Sequence, residues 1–205
     1  MNVLITGASS GIGRALAARM VADGDRVWGV ARREPELQSL QRQLGSGFLY
    51  SPANVAVFDD VRRVLAQLDA ENFLPDAVVL NAVIYPHDCE GTLEYAVARE
   101  VLATNVNGVL AFASLLSERF LARGCGQFLA VSSLFAVRPD PVDVGYVSSK
   151  AALTMAFRCL AARYRRTAIQ FKSMLLARSG WKDRIAGVFG TDTWHENPLI
   201  DCSRD

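Results

Sequence analysis

The chain has 205 residues, 51% of them hydrophobic, and 22 Lys and Arg against 21 Asp and Glu give a net charge of +1. That length suits a single domain with a sizeable core; the balanced charge argues neither for nor against a polyanion, and no basic run points to nucleic acid as a partner. Cys89, Cys125, Cys159 and Cys202 form no C-x-x-C pair, so no metal site is expected, and in a chain without a leader pattern they read as reduced thiols in the cytoplasm.

The first element is the apolar run Asn2-Val3-Leu4-Ile5, which has the character of a strand buried on both faces. The turn Thr6-Gly7-Ala8-Ser9-Ser10-Gly11-Ile12-Gly13 follows at once, and Ile12, Leu16 and Met20 then recur on one helical face. Strand, Gly-rich turn and helix N-terminus together form an anion cradle, in which free N–H groups and the positive end of the helix dipole face a phosphate. Gly7 suits a turn with positive φ, Gly11 lets a pyrophosphate approach the backbone, and Gly13 lets helix and strand pack closely. Ser9, Ser10 and Ile12 complete this predicted cofactor-binding turn.

The first helix should stop near Gly24, and residues 26–31 form the second strand. The strand ends in Arg32-Arg33, about twenty residues after the turn, where an acidic residue would hold the ribose 2′-hydroxyl of NAD. Ala31 takes that place. A carboxylate there would repel a 2′-phosphate, whereas arginine grips one bidentately, so Arg32 and Arg33 predict NADP over NAD. A helix over 34–44, a strand over 47–50 running towards Ala53-Asn54-Val55, and a helix over 59–68 come next. Residues 76–81 are a buried fourth strand that leads into Ala82-Val83, and Tyr85-Pro86-His87 opens a loop. Tyr85 and His87 are each expected to be a surface loop residue without a role, the alternative for either being contact with substrate. A helical stretch from 93 to 122 contains Thr104-Asn105-Val106-Asn107-Gly108, and Asn and Gly inside a helix cost stability. No apolar run is expected to approach the length of a membrane span.

The fifth strand, 127–131, ends in Ser132-Ser133, and a helical period then runs through Tyr146, Lys150, Leu153, Phe157, Leu160 and Tyr164. Tyr146 and Lys150 lie one turn apart on one face. Ser133 sits at the carboxyl end of a strand, where open α/β sheets place their ligands. The three suit carbonyl reduction. Tyr146 supplies or takes the proton as general acid/base, Lys150 lowers its pKa, and Ser133 hydrogen-bonds the substrate oxygen. A sixth strand is expected over 169–176.

These residues together resemble the short-chain dehydrogenase/reductase family, in its non-extended branch with the T-G-x-x-x-G-x-G and Y-x-x-x-K motifs. The resemblance covers residues 1 to about 160 and implies a doubly wound Rossmann-type fold with a mostly parallel sheet in the order 3-2-1-4-5-6. It implies that Asn105 kinks its helix and supports a proton relay to Lys150. It also implies that Asn54, Val55, Asn81 and Ala82 line the cofactor, and that Lys150 and Tyr146 reach the nicotinamide ribose. Two departures stand out. Val83 replaces the usual glycine of Asn-Ala-Gly, and Arg178-Ser179-Gly180-Trp181-Lys182-Asp183 replaces a Pro-Gly stretch that ends in Thr.

The expected protein is one Rossmann-type domain over 1–205, with a short atypical segment over 180–205 and a seventh strand that is short, near 198–201, or absent. Its expected activity is NADP(H)-dependent hydride transfer between the nicotinamide and a small-molecule carbonyl or alcohol. A homodimer or homotetramer formed through the two long helices, with no membrane partner, is carried over from the family. The alternative is an NADP-binding sensor or partner protein of the same fold with little turnover, which would have no need of Ser133, Tyr146 and Lys150 together.

Overall fold

The computed structural model describes residues 1–86, 92–141 and 143–176. The strands are β1 (Asn2–Thr6), β2 (Arg26–Ala31), β3 (Phe48–Pro52), β4 (Ala77–Leu80), β5 (Gly126–Ser133) and β6 (Ile169–Leu176). The helices are α1 (Gly11–Ala22), α2 (Glu34–Leu44), α3 (Phe58–Ala70), α4 (Tyr95–Leu102), α5 (Gly108–Arg123) and α6 (Val144–Arg163). All six strands join one sheet in the order β3-β2-β1-β4-β5-β6, and every neighbouring pair is parallel. This is the predicted doubly wound order, with its reversal between β1 and β4 opening a crevice at the carboxyl ends of the strands.

Strand alternation divides the core into two layers. Val3 and Ile5 of β1 pack with Leu16 and Met20 of α1 and with Leu37 and Leu40 of α2. Leu4 faces the other way and joins Val61 and Leu68 of α3, Phe112 and Leu116 of α5, and Phe157 of α6. Both faces of the sheet are covered, which is why its strands read as unbroken apolar runs.

Local chemistry accounts for the differences from expectation. Residues Gly45–Gly47 form a 3-10 turn, so β3 starts at Phe48 and continues to Pro52. Proline is tolerated there because β3 is an edge strand. The long helix breaks into α4 and α5 around a π-helical turn, Ala103–Asn107. The continuous helical run Tyr95–Arg123, 29 residues, contains an 18-residue window of mean hydropathy 1.3 and is long and apolar enough to cross a membrane by length and composition alone. The expectation of no such run is corrected to that extent; the same apolar residues serve the core, and more than half of that window is buried. Cys125 is disulfide-bonded, against the expectation of a reduced thiol, while Cys159 is free and exposed. His87, the stretch 178–183 and the seventh-strand segment near 198–201 lie outside the described residues.

Candidate active site

At the carboxyl end of β1 the chain turns sharply into α1. Gly7 has φ +74°, and a Cβ there would come within 2.9 Å of the Ala82 backbone. A Cβ on Gly13 would sit 2.3 Å from the carbonyl oxygen of Gly7, so only glycine lets the first turn of α1 lie on the end of β1. Gly11 faces open space, with nothing within 4 Å of the position a Cβ would take. No side chain caps the N-terminus of α1, and its first turn holds no acidic residue. Its N–H groups and dipole are thus left for an anion.

This turn forms one wall of a cleft of about 460 Å³ lined by Gly7, Ser9, Ser10, Gly11, Ile12, Ala31, Arg32, Arg33, Ala53, Asn54, Val55, Asn81, Ala82, Val83, Ile84 and Thr104. Every cofactor-binding residue expected from the sequence lies here except Gly13, which packs beneath the turn, and Tyr146 and Lys150, which line the adjoining cleft. Arg33 reaches across the turn, its Nη2 donating to the hydroxyls of Ser9 at 3.0 Å and Ser10 at 2.7 Å. Its Nη1 lies 3.5 Å from Glu36. A guanidinium and two hydroxyls thus meet at the β2 end of the cleft.

Two asparagines have more internal work than expected. Asn54 Oδ1 accepts the N–H of Ala56 at 3.1 Å, so part of its acceptor capacity is used inside its own loop. Asp60 takes the Asn54 N–H at 2.8 Å, and this bond, with Arg63 beside it, holds the Asp60 carboxyl below its ordinary range. Asn81 Nδ2 donates to the carbonyl of Thr6 at 3.1 Å and to that of Gly7 at 3.4 Å, clamping the Gly-rich turn from β4.

A second cleft of about 210 Å³ adjoins the first and shares Ile12, Asn81 and Val83 with it. Its other walls are Tyr85, Val131, Ser132, Ser133, Phe135, Tyr146, Lys150 and Leu176. The end of β5 separates the roles of its two serines. Ser132 turns towards α6, sharing a 2.7 Å bond with the Thr154 hydroxyl and donating to the Lys150 carbonyl. Ser133 faces the cleft, hydrogen-bonds Tyr146 and accepts the N–H of Phe135 at 3.3 Å.

Lys150 is 3% exposed, and its Nζ donates to the carbonyl of Val131 at 2.8 Å. Burial pulls the ammonium down to about 8. It stands 5.7 Å from the centre of the Tyr146 ring. The phenol nonetheless titrates above its ordinary range: burial raises it most, the Ser133 hydrogen bond pulls it down, and the charge of Asp143 pushes it up again. The direction is opposite to the lowering expected from Lys150, and burial is its largest cause.

Asn105 occupies the π-helical turn and is 1% exposed. Its Oδ1 accepts the N–H of Ile84 at 2.9 Å, and its Nδ2 donates to the Ile84 carbonyl at 3.0 Å and to Ser149 Oγ at 3.1 Å. Ser149 in turn donates to the Tyr146 carbonyl at 2.7 Å. One amide therefore joins the loop after β4 to the turn of α6 that carries Tyr146.

Tyr85 was expected to have no role, yet its ring lies 4.2 Å from that of Tyr146, and its hydroxyl donates to Asp143 at the start of α6. Phe135 meets the Tyr146 ring edge-on at 6.3 Å. One signal marks Asp143 in the sequence, its place one turn before Tyr146 where the helix starts, and none marks its pairing with Tyr85.

The profile of the short chain dehydrogenase family matches residues 1–177. The chain belongs to the short-chain dehydrogenase family. It is 33% identical over 164 residues to the L-xylulose reductase of Caenorhabditis elegans, covering 78% of this chain and 64% of that protein. It is 27% identical over 158 residues to the 3-oxoacyl-(acyl-carrier-protein) reductase FabG of Salmonella typhimurium, covering 77% and 65%. The chain thus spans just under two thirds of the length of both short-chain dehydrogenases. The serine dehydrogenase of Escherichia coli superposes with a TM-score of 0.82 over 86% of this chain and 82% of that one, at 23% identity, a likeness of fold.

Proposed function

We propose that this short-chain dehydrogenase reduces a carbonyl compound, or oxidises the matching alcohol, with NADP(H). The meeting of Ser133, Tyr146 and Lys150 in a cleft continuous with the Gly-rich cradle carries the proposal. The residues present fit a nicotinamide dinucleotide. Gly11 leaves the cradle open at the uncapped N-terminus of α1, where a pyrophosphate belongs. Arg33, Ser9 and Ser10 form a donor cluster suited to a 2′-phosphate, with Arg32 on the same wall. When bound, the dinucleotide supplies the hydride that carbonyl reduction requires. Ser133 Oγ orients the substrate oxygen, and Tyr146 Oη delivers the proton that turns it into a hydroxyl. A phenol held protonated by burial is ready for that direction of reaction. The Lys150 ammonium stabilises the phenolate left behind, and Asn105 holds the Ile84 loop against the Tyr146 helix. A sensor that only bound the dinucleotide would have no use for the Ser133–Tyr146 bond.

Fluorescence titration of wild type, Arg32→Ala and Arg33→Ala with NADPH and with NADH tests the cofactor assignment. Loss of a charge-assisted phosphate contact should weaken NADPH about ten- to hundredfold in Arg33→Ala and leave NADH within about threefold. Tighter binding of NADH than NADPH by the wild type would overturn it.

A further inference from the structure

Tyr85 and Asp143 lie 58 residues apart in sequence and meet at the mouth of the second cleft. Tyr85 is 40% exposed, but it is not a free loop side chain. Its hydroxyl is held by a carboxylate that is itself only 5% exposed, and its backbone neighbour Ile84 is fixed at both N–H and C=O by Asn105. The ring is therefore anchored at two points, with one part against Tyr146 and the rest open to whatever enters.

The cleft behind it is largely apolar, and its only charged side chain among the described residues is Lys150. That ammonium is buried and donates to the Val131 carbonyl. Among the described residues, a carboxylate beside the reacting carbonyl would thus meet no accessible counter-charge. A flat apolar group would instead meet the rings of Tyr85 and Phe135 and the side chain of Leu176.

Accepting the carbonyl-reductase function proposed above, we propose that Tyr85, anchored by Asp143, is the specificity wall of the substrate cleft. It selects neutral carbonyl compounds that carry an aromatic or other flat apolar group next to the carbonyl, against carboxylate-bearing ones. Reduction of such a compound adds hydride to its carbonyl carbon and a proton to its oxygen, giving the secondary alcohol and oxidised dinucleotide.

Three related substrates separate the contributions: methyl benzoylformate (neutral, aromatic), methyl pyruvate (neutral, no ring) and benzoylformate (aromatic, anionic). The wild-type protein should show the highest kcat/KM on methyl benzoylformate. Tyr85→Ala should lower its preference for that ester over methyl pyruvate about three- to tenfold, the value of one aromatic pair. Tyr85→Phe keeps the ring and loses the anchor, so its preference should fall between the two. An unchanged ratio in Tyr85→Ala, or a wild type that favours benzoylformate, would overturn the inference while leaving the reductase function standing. A Phe variant as impaired as the Ala variant would also overturn it, by assigning the effect to the hydroxyl. Failure of the wild type to reduce any of the three with either dinucleotide would remove the reductase function and this inference together.

Discussion

Lys150 carries its ammonium at a site that hydrogen-bonds it to one strand carbonyl and otherwise buries it. Its pKa of about 8 in the fold lies below the ordinary 10.5, so the unfolded chain holds this proton more tightly than the folded one. The buried charge therefore destabilises the fold fully at pH below about 8, and the cost fades as the pH rises towards 10.5. Lys150→Met should accordingly stabilise the fold at pH 7 by about 1–3 kcal/mol, seen as a higher melting temperature, with the gain shrinking towards pH 10. The same variant should lose about a hundredfold or more in turnover. A variant less stable than the wild type at pH 7, or an advantage that does not change with pH, would contradict this origin of the shift. Such a trade of stability for chemistry is what a charge buried for a functional role leads one to expect.

Among the elements, the π-helical turn Ala103–Asn107 does the most to connect the site. It places Asn105 where one amide satisfies both backbone groups of Ile84 and reaches Ser149. Asn105→Ala leaves buried partners without bonds, which should cost about 1–3 kcal/mol and speed hydrogen exchange at the Ile84 amide. Unchanged exchange at Ile84 would show that the loop is held by something else. The sequence marked this place correctly, because Asn and Gly inside an apolar helix conflict with propensity. It did not show that the helix accommodates them by widening into a π turn, where Asn105 meets the loop after β4 and α6. The Gly-rich turn was more legible. Positive φ at Gly7 and close approach at Gly13 are backbone requirements that glycine alone meets, and they appear directly as letters.

At the scale of the whole molecule, the parallel sheet sets two chemistries side by side at the carboxyl ends of its strands. The anion cradle and the Arg33–Ser9–Ser10 cluster stand at one end of the crevice, and the Tyr146 phenol stands at the other. The order of the strands in the sheet came with the family resemblance, whereas the strands and helices themselves follow from apolar runs and helical periods and were readable in advance. Quantities created by assembly were not. The direction of the Tyr146 shift depends on how deeply the ring is buried, and the Tyr85–Asp143 bond depends on a loop folding over a distant helix. The choice of Arg33 as the arginine that closes over the turn rests on side-chain reach, which two adjacent arginines do not reveal in sequence.

The most direct measurement is deuteride transfer from 4-deuterated NADPH to methyl benzoylformate by the wild type and by Tyr146→Phe, with the NADPH affinity of each determined alongside. Both proteins should bind NADPH within about threefold of each other, and the variant should form the deuterated alcohol slower by at least about a hundredfold, the loss expected for a missing general acid. Equal rates in the two proteins, or no binding of the dinucleotide by either, would contradict the assignment of this cleft as a reductase active site.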